Sequence, residues 1–302
     1  MLVGLLWFGA IVDRADPRYV VEPGTAGGTN TGPYNTWAIA ATQIQWAVDV
    51  AVDGETVWVS NGTFYLTNQI SITNSITLQS FSGYYTNTVI NGNYPAYTNR
   101  VVYVANTGTV LSGFTITNGC STGQAGSYAF SGGGGFCAPQ CRLITNCLLT
   151  GNKISNNTIV VCGGGGNLTS GTVSHCIFRG NKGFLNSSFG AGLALYYGIV
   201  SNCVISGNQE GPGGYGVLGP GISSTGANCV ISDNTGIGVR LENPSAILYS
   251  SIVSNNSGSG IHFGQGGAVK NCLVVGNGNY GVNFDKWGSA SPQMIDNCTI
   301  VN

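Results

Sequence analysis

The residues whose types could do chemistry lie close together near the C-terminal end of the chain. Arg240, His262 and Asn283 occupy equivalent positions in three short segments, and Glu242 and Asp285 stand two residues after the first and third of them. In each segment apolar and polar residues alternate, which is typical of β-strands. If the three strands lie side by side about 4.8 Å apart, Glu242 lies about 10 Å from Asp285. Inverting hydrolysis of a glycoside could use that separation between its acid and its base.

Two further residues fit a sugar ligand at the same place. Lys286 and Trp287 follow Asp285 directly, and an exposed Trp beside polar groups can stack on a sugar ring. The catalytic candidates are Arg240, Glu242, His262 and Asp285. The glycan-binding candidates are Arg240, His262, Asn283, Asp285, Lys286 and Trp287. The alternative is a solvated strand face with ion pairs, which are common on protein surfaces and contribute little to stability.

Composition limits the partners of the chain. Only 7% of its 302 residues are charged and the net charge is -1. This removes any electrostatic case for nucleic acid or for an anionic membrane surface. The apolar content of 42% is enough to bury a long core, so the 49 glycines indicate turns rather than disorder. Neutral partners are therefore expected.

The elements that would position the candidate site belong to a repeat. Copies of an Asn-Cys motif followed by an apolar pair recur about every 24 residues, the period of a solenoid. The repeated Cys positions are Cys147, Cys176, Cys203, Cys229, Cys272 and Cys298, with Ser251 in one copy. An Asn stands five residues after the Cys position in the first six of the seven copies, and these are Asn152, Asn181, Asn208, Asn234, Asn256 and Asn277. We expect both sets to stack as a cysteine ladder and an asparagine ladder.

The repeated cysteines are interpreted as small buried apolar groups rather than as a disulfide framework. Side chains stacked in parallel fit disulfide torsions poorly, although neighbouring strands lie within bridging range. Cys120, Cys137, Cys141 and Cys162 lie outside the column and could form one or two disulfides. Gly-rich segments that alternate apolar and polar residues accompany each motif, so the strands, corners and period together predict a parallel β-helix.

The N-terminal part of the chain differs from the repeat. Residues 1–18 are mostly apolar and too short to span a bilayer, so they are either the remnant of a secretory signal or a segment packed on the solenoid. Residues 19–55 contain a strand, a loop and a helix from Trp37 to Ala51, capped by Asn35 or Thr36 and ended by Gly54. We expect this helix to cover the first turn of a β-helix formed by residues 56–302.

Several segments resemble those of a known group of proteins. They are residues 53–59, 61–65 and 111–119, together with the repeated Asn-Cys copies. The resemblance is to right-handed parallel β-helix repeat proteins of secreted bacterial type, which are related to polymorphic outer-membrane-protein repeats and have a pectate-lyase-like fold. It implies an all-β chain forming a single right-handed parallel β-helix of about ten turns with an N-terminal capping α-helix. It also implies an extracellular or cell-surface location in a bacterium.

The same fold contains polysaccharide lyases and glycoside hydrolases, so the acidic residues decide how far the enzyme hypothesis extends. The chain has no Asp-Asp pair, its eleven acidic residues are spread over its whole length, and Asp233 stands where other copies have Gly or Asn. We therefore interpret Asp233 as a turn residue. No cofactor is expected, and calcium would be needed only by a lyase.

Two functions remain open from sequence. The first is a non-catalytic protein with a structural, adhesive or glycan-contact role, whose long neutral face binds a polysaccharide or a cell-surface glycan. The second is a pectate-lyase-like lyase or hydrolase acting through Arg240, Glu242, His262 and Asp285. Neither needs nucleic acid or a membrane span. The last repeat, Asn297 to Asn302, has no covering segment after it, so we expect either that the chain is an excerpt of a longer β-helix or that it associates end to end with another copy there.

Overall fold

A computed structural model gives the fold of the chain. It describes residues 16–122, 132–155, 162–183, 190–210, 224–284 and 292–301, and the backbone of 218–220. The expectations for the apolar segment at residues 1–15, and for Asp285, Lys286 and Trp287, lie outside the described residues.

The described strands, numbered β1 to β32 in chain order, form three long parallel sheets. Sheet A contains β1 (Arg18–Val20), β2 (Thr56–Val59), β5 (Thr77–Ser80), β8 (Val110–Ser112), β12 (Leu143–Thr145), β16 (Thr172–Ser174), β19 (Ile199–Ser201), β22 (Thr225–Ala227), β25 (Ile247–Tyr249), β28 (Gly267–Lys270) and β31 (Gln293–Asp296). Sheet B contains β3 (Gly62–Tyr65), β6 (Thr88–Asn91), β9 (Thr115–Thr117), β13 (Leu148–Thr150), β17 (Ile177–Arg179), β20 (Val204–Ser206), β23 (Val230–Ser232), β26 (Ile252–Ser254), β29 (Leu273–Val275) and β32 (Thr299–Val301). Sheet C contains β4 (Ile70–Ile72), β7 (Val102–Ala105), β11 (Phe136–Gln140), β15 (Gly166–Leu168), β18 (Leu193–Leu195), β21 (Leu218–Pro220), β24 (Val239–Leu241), β27 (Ile261–Phe263) and β30 (Val282–Phe284). A short fourth pair joins β10 (Cys120–Ser121) to β14 (Lys153–Ile154).

Consecutive strands lie in different sheets, and this defines the architecture. Strands β2, β3 and β4 lie in sheets A, B and C, and β5 returns to sheet A to pair in parallel with β2. Each set of three strands is one turn of a solenoid, here called a rung. The chain is therefore a single parallel β-helix, which confirms the predicted fold class.

The core lies inside the three sheets and is built from one or two side chains per strand. In sheet B, Phe178, Ile205 and Ile231 come from three consecutive rungs, are in register, and are fully buried. Burying one such side chain contributes about 1.5–3 kcal/mol relative to leaving it in water. Stacking these side chains along the axis gives one continuous core.

The Asn-Cys motif forms the corner between sheets A and B. Asn202 has a φ of 52°, in the left-handed region that Asn tolerates better than most residues, and His175 and Ser250 adopt the same backbone at 52° and 49°. The next residue turns inward, and the Cys203 thiol lies 3.2 Å from the Ser201 carbonyl oxygen on the other side of the corner. Phe114 follows the left-handed Gly113 and is fully buried, so it occupies the Cys position in an earlier rung, as predicted.

The repeated cysteines are buried in the column that the sequence predicts. Five of the six are at most 4% exposed and Cys298 is half-buried. None of the ten cysteines, all of which lie among the described residues, forms a disulfide, so the bridges that Cys120, Cys137, Cys141 and Cys162 could have formed are not present in the structure.

The second repeated column forms an asparagine ladder, as predicted. The Asn208 side-chain amide donates to Asn234 Oδ1 at 3.1 Å and to the Phe178 carbonyl at 3.0 Å, and its own Oδ1 accepts from the Asn181 side chain at 3.0 Å. Asn152, Asn256 and Asn277 continue the series. Buried amides are thereby satisfied without water.

The predicted helix from Trp37 to Ala51 is wrong in its extent. Trp37–Ile39 forms a single 3-10 turn, and the α-helix α1 spans only Ile44–Val50. Between them Ala41 is bridged to β1, because its N–H donates to the Tyr19 carbonyl and its carbonyl accepts from Val21 N–H, both at 2.9 Å. Backbone pairing with the first strand therefore replaces helix at this point, and Thr36 makes no side-chain capping bond.

Helix α1 covers the N-terminal end of the solenoid. Its buried residues Ile44, Ala47 and Val48 pack where β1, β2 and β4 begin the sheets. Strand β1 is itself the first strand of sheet A. The division into residues 1–18, 19–55 and 56–302 stays a prediction. Within the described part of the chain, no helix is long and apolar enough to cross a bilayer.

Candidate functional site

The predicted site residues lie on the outer face of sheet C. Val239 and Leu241 point into the core, which leaves Arg240 pointing outward from β24. Arg240 pairs in register with His262 of β27, and His262 pairs with Asn283 of β30. The structure therefore brings these three residues together on neighbouring strands, as the alternation of the sequence predicts.

Arg240 and Glu242 form an ion pair at the end of β24. The contact joins the Arg240 guanidinium to the Glu242 carboxylate, and the two side chains are 12% and 23% exposed. A Cβ at Gly264 in the next rung would collide with the Glu242 carboxylate, so Gly at that position lets the carboxylate lie over the neighbouring rung. Arg240 thus orients the Glu242 carboxylate on the outer face of sheet C.

His262 faces outward but is covered. Its exposed fraction is 7%, while Asn283 at the same position of the next strand is half-buried. Burial on an outward position also occurs near the middle of the sheet, at Cys137, Asn167 and Ala194. The outer face of sheet C is therefore not a solvated strand face along its whole length.

The Cys137 thiol on this face does not suit nucleophilic chemistry. Burial raises its pKa to about 11, and the neighbouring Arg100 lowers it by a smaller amount. Because the thiolate is the nucleophile, a thiol with this pKa stays unreactive at neutral pH.

Asp285, Lys286 and Trp287 lie outside the described residues, so their roles in catalysis and glycan binding stay predictions. In the described ranges, no group of three or more His, Cys, Asp and Glu side chains is arranged so that it could hold a metal ion. With Glu242 already paired to Arg240, the described residues do not fit the calcium site that a lyase would need.

Asp233 is a corner residue, as predicted. Its φ of 57° is left-handed, and the equivalent corners are Gly207 at 61° and Asn255 at 54°. Each stands one residue before a ladder asparagine. The side chain type at this position follows from the backbone conformation and needs no catalytic explanation.

The outer face of sheet B is a feature that sequence reasoning did not assign to a site. Its first outward column runs through Thr63, Val89, Thr115, Leu148, Ile177, Val204, Val230, Ile252, Leu273 and Thr299. Its second runs through Tyr65, Asn91, Thr117, Thr150, Arg179, Ser206, Ser232, Ser254, Val275 and Val301. Both columns can be identified in the sequence, because they are the residues on either side of each buried apolar residue in the repeat.

Comparison with known proteins bears on the fold. Residues 185–302 match the family model described as a right handed beta helix region. No curated protein sequence matches the chain.

Solved structures with a similar fold include pectate lyase Pel9A, at 13% identity and a TM-score of 0.47, covering 95% of this chain and 79% of that one. A rhamnogalacturonan lyase is 11% identical, with a TM-score of 0.45 and coverage of 95% and 85%. The pectin methylesterase of Aspergillus niger is 12% identical, with a TM-score of 0.41 and coverage of 92% of both chains. Similarity at this level carries no argument about what the chain does.

Proposed function

We propose that the protein is a non-catalytic β-helix of bacterial origin, secreted or held at the cell surface, that binds a neutral polysaccharide along the outer face of sheet B. The observation that supports this proposal is the pair of outward columns on that face, one mostly aliphatic and one mostly hydroxyl-bearing. Among the described residues of these columns, Arg179 is the one charged side chain.

The shape of the face suits a linear ligand. Ten strands stack in unbroken register, so nine steps of about 4.8 Å give a face about 43 Å long. A polysaccharide lying along the solenoid axis would meet the same pair of side chain types at nearly every rung.

The chemistry of the face suits a neutral sugar. The hydroxyls of Ser206, Ser232 and Ser254 can each donate and accept a hydrogen bond, as sugar hydroxyls do. Beside them Val204 and Val230 are half-buried and Ile252 is 41% exposed, which offers an apolar strip to the C–H faces of sugar rings. A polyanionic glycan would find one positive side chain here, too few to favour it over a neutral chain.

Retention on immobilised polysaccharides tests this proposal. Wild type should be retained on neutral polysaccharides such as amylose or cellulose more than on polygalacturonate. Val230→Arg should lower retention on the neutral polysaccharide several-fold, because a long charged side chain replaces part of the apolar strip. Thr225→Arg is the matched control, since Thr225 is half-buried on the outer face of sheet A in the same rung. Equal retention of the two variants, or no retention of wild type, would contradict the proposal.

The alternative function, a polysaccharide lyase or glycoside hydrolase, is supported by Arg240, Glu242 and His262 lying together on sheet C. It is tested by product release from uronate-containing and neutral polysaccharides, with and without calcium. Asp285→Asn and Glu242→Gln should each abolish turnover while binding persists. Release that both variants leave unchanged would remove this alternative.

End-to-end self-association is a further part of the proposal. Ile295 and Ile300 occupy inward positions of the last described strands, yet they are 40% and 41% exposed. Apolar strand ends of this kind recruit other chains. Light scattering over a dilution series should show assembly that Ile300→Lys suppresses, and a monomer at every concentration would refute this part.

A further inference from the structure

A groove lies beside the N-terminal helix, at a place where no motif in the sequence predicts a site. It separates α1 and the residues before it from the segment that joins β3 to β4, and its volume is about 320 Å³. That volume is at the lower end of the range for small-molecule sites, about 300–1,000 Å³.

Three aromatic residues line the groove, and two of them, Trp46 and Tyr65, are more than slightly exposed. Trp46 of α1 is half-buried and packs partly on the core, while Tyr65 at the end of β3 is 66% exposed. Exposed aromatic rings have an apolar face and a polar edge, which suits a ligand with both kinds of surface.

The other lining groups are mostly neutral and polar. Gln43 and Asn68 are exposed and Gln69 is half-buried, and amides both donate and accept hydrogen bonds. Asp49 supplies one carboxylate, and none of the described lining residues is Lys or Arg. This composition disfavours anions, and a single exposed carboxylate attracts a cation only weakly in water.

The two walls are fixed relative to each other by hydrogen bonds. The Gln45 side chain accepts from Ser71 N–H at 2.7 Å and donates to the Ser71 carbonyl at 3.1 Å. It also donates to Asp49 Oδ1 at 2.7 Å, and Gln69 donates to Ser71 Oγ at 3.1 Å. A groove whose walls are already positioned loses little conformational entropy on binding.

The groove is continuous with the outer face of sheet B, since Tyr65 is the first residue of the second outward column and also lines the groove. We propose that this groove is a binding site for one or two units of a neutral saccharide, with Tyr65 and Trp46 as aromatic contacts. This proposal takes its ligand class, a neutral saccharide, from the proposed function. It places that ligand at the end of the sheet B face where Tyr65 lies.

Calorimetric titration of the full chain with neutral disaccharides, cellobiose and maltose at up to about 10 mM, tests the inference. We expect one of them to bind wild type and Tyr65→Ala to weaken it by about tenfold or more. Tyr84→Ala is the control, because Tyr84 is 71% exposed and does not line the groove. Gln43→Ala is a second variant in the groove lining. Because Gln43 is exposed, this variant should fold normally.

The outcomes separate this inference from the proposed function. Disaccharide binding that survives Val230→Arg and falls in Tyr65→Ala supports the groove even if no polysaccharide is retained. No disaccharide binding to wild type, or equal affinity in wild type and Tyr65→Ala, would overturn the groove assignment whatever the polysaccharide columns show. Tighter binding of tetramethylammonium than of either disaccharide would also overturn it, since the groove would then be a cation site.

Discussion

At the residue scale, the buried asparagines show how one side chain type satisfies several backbone and side-chain groups in each rung. Asn208 is fully buried, and its side chain and backbone N–H bond to both neighbouring ladder residues and to the Phe178 carbonyl. A glutamine would be one methylene too long for this spacing, and an aspartate would place a charge in the core.

Asn208→Ala should lower the free energy of unfolding by about 3 kcal/mol or more. The substitution removes the acceptor of the Asn181 backbone N–H, one of the two acceptors of the Asn181 side-chain amide, and the side-chain donor to the Phe178 carbonyl. Each buried unsatisfied group costs about 1–3 kcal/mol. Urea denaturation followed by circular dichroism measures the change. Ser206→Ala, at an outward position two residues earlier, should change stability by about 0.5 kcal/mol or less. If both variants lose the same stability, the ladder is not a major stabilising feature.

The sequence predicted which site residues share a face but not how exposed they are. Alternation in three short strands was enough to place Arg240, His262 and Asn283 in register. The burial of His262 depends on what packs over the sheet, and alternation within one strand carries no such information. The Arg240–Glu242 ion pair was also not predicted. The strand spacing indicates contacts between neighbouring strands, whereas these two residues lie two positions apart in one segment.

At the element scale, the strands were predictable and the helix was only partly so. Most strands alternate inward apolar residues with outward residues, and the repeat supplies that pattern many times. The segment from Trp37 to Ala51 has a helical pattern of apolar residues, but Ala40 and Ala41 are buried as an extended segment bonded to β1 and Thr29. Periodicity over one segment could not reveal a competing partner from elsewhere in the chain.

Helix α1 has seven residues and no side-chain N-cap bond, so it is too short to be stable in isolation. Its stability comes from packing and from neighbours such as Asn74, whose side chain donates to the Ala51 carbonyl at 2.6 Å. The helix is thus a part of the fold that forms with the first rung.

Ala47→Asp should destabilise the protein by about 3 kcal/mol or more, because it buries an unpaired charge between α1 and the first strands. Val50→Asp is the matched control at the 40% exposed face of the same helix, and it should cost about 1 kcal/mol or less. Thermal unfolding of both variants measures the difference. Similar losses would mean that α1 does not pack on the core as the structure describes.

At the scale of the whole molecule, the period of the Asn-Cys motif was enough to predict the solenoid, its ladders and its corners. The groove was not predictable in the same way, because Trp46 and Tyr65 come from two different elements that precede the Asn-Cys copies. Sites built from non-repeating parts of a solenoid need the three-dimensional structure.

The buried thiols make the stability of the whole solenoid depend on pH in the alkaline range. Burial raises the pKa of Cys141 from 9.0 to about 12, and that of Cys137 from 9.0 to about 11. Between pH 9 and these folded pKa values, the two thiols have lost their protons in the unfolded chain and keep them in the folded chain. The stability they contribute is therefore complete below pH 9 and is lost progressively as the pH rises to the folded pKa values.

The free energy of unfolding should fall with a slope of about 1.4 kcal/mol per pH unit for each such thiol. Urea denaturation measured from pH 7 to pH 11 checks this slope, in a buffer whose reducing agent keeps the cysteines as thiols. Cys141→Ala should be less stable than wild type at pH 7, because a small cavity replaces the thiol, yet its stability should fall less steeply above pH 9. The difference in slope isolates ionisation from packing, since a cavity costs the same at every pH. Parallel curves for wild type and Cys141→Ala would show that this thiol does not ionise on unfolding as its burial requires.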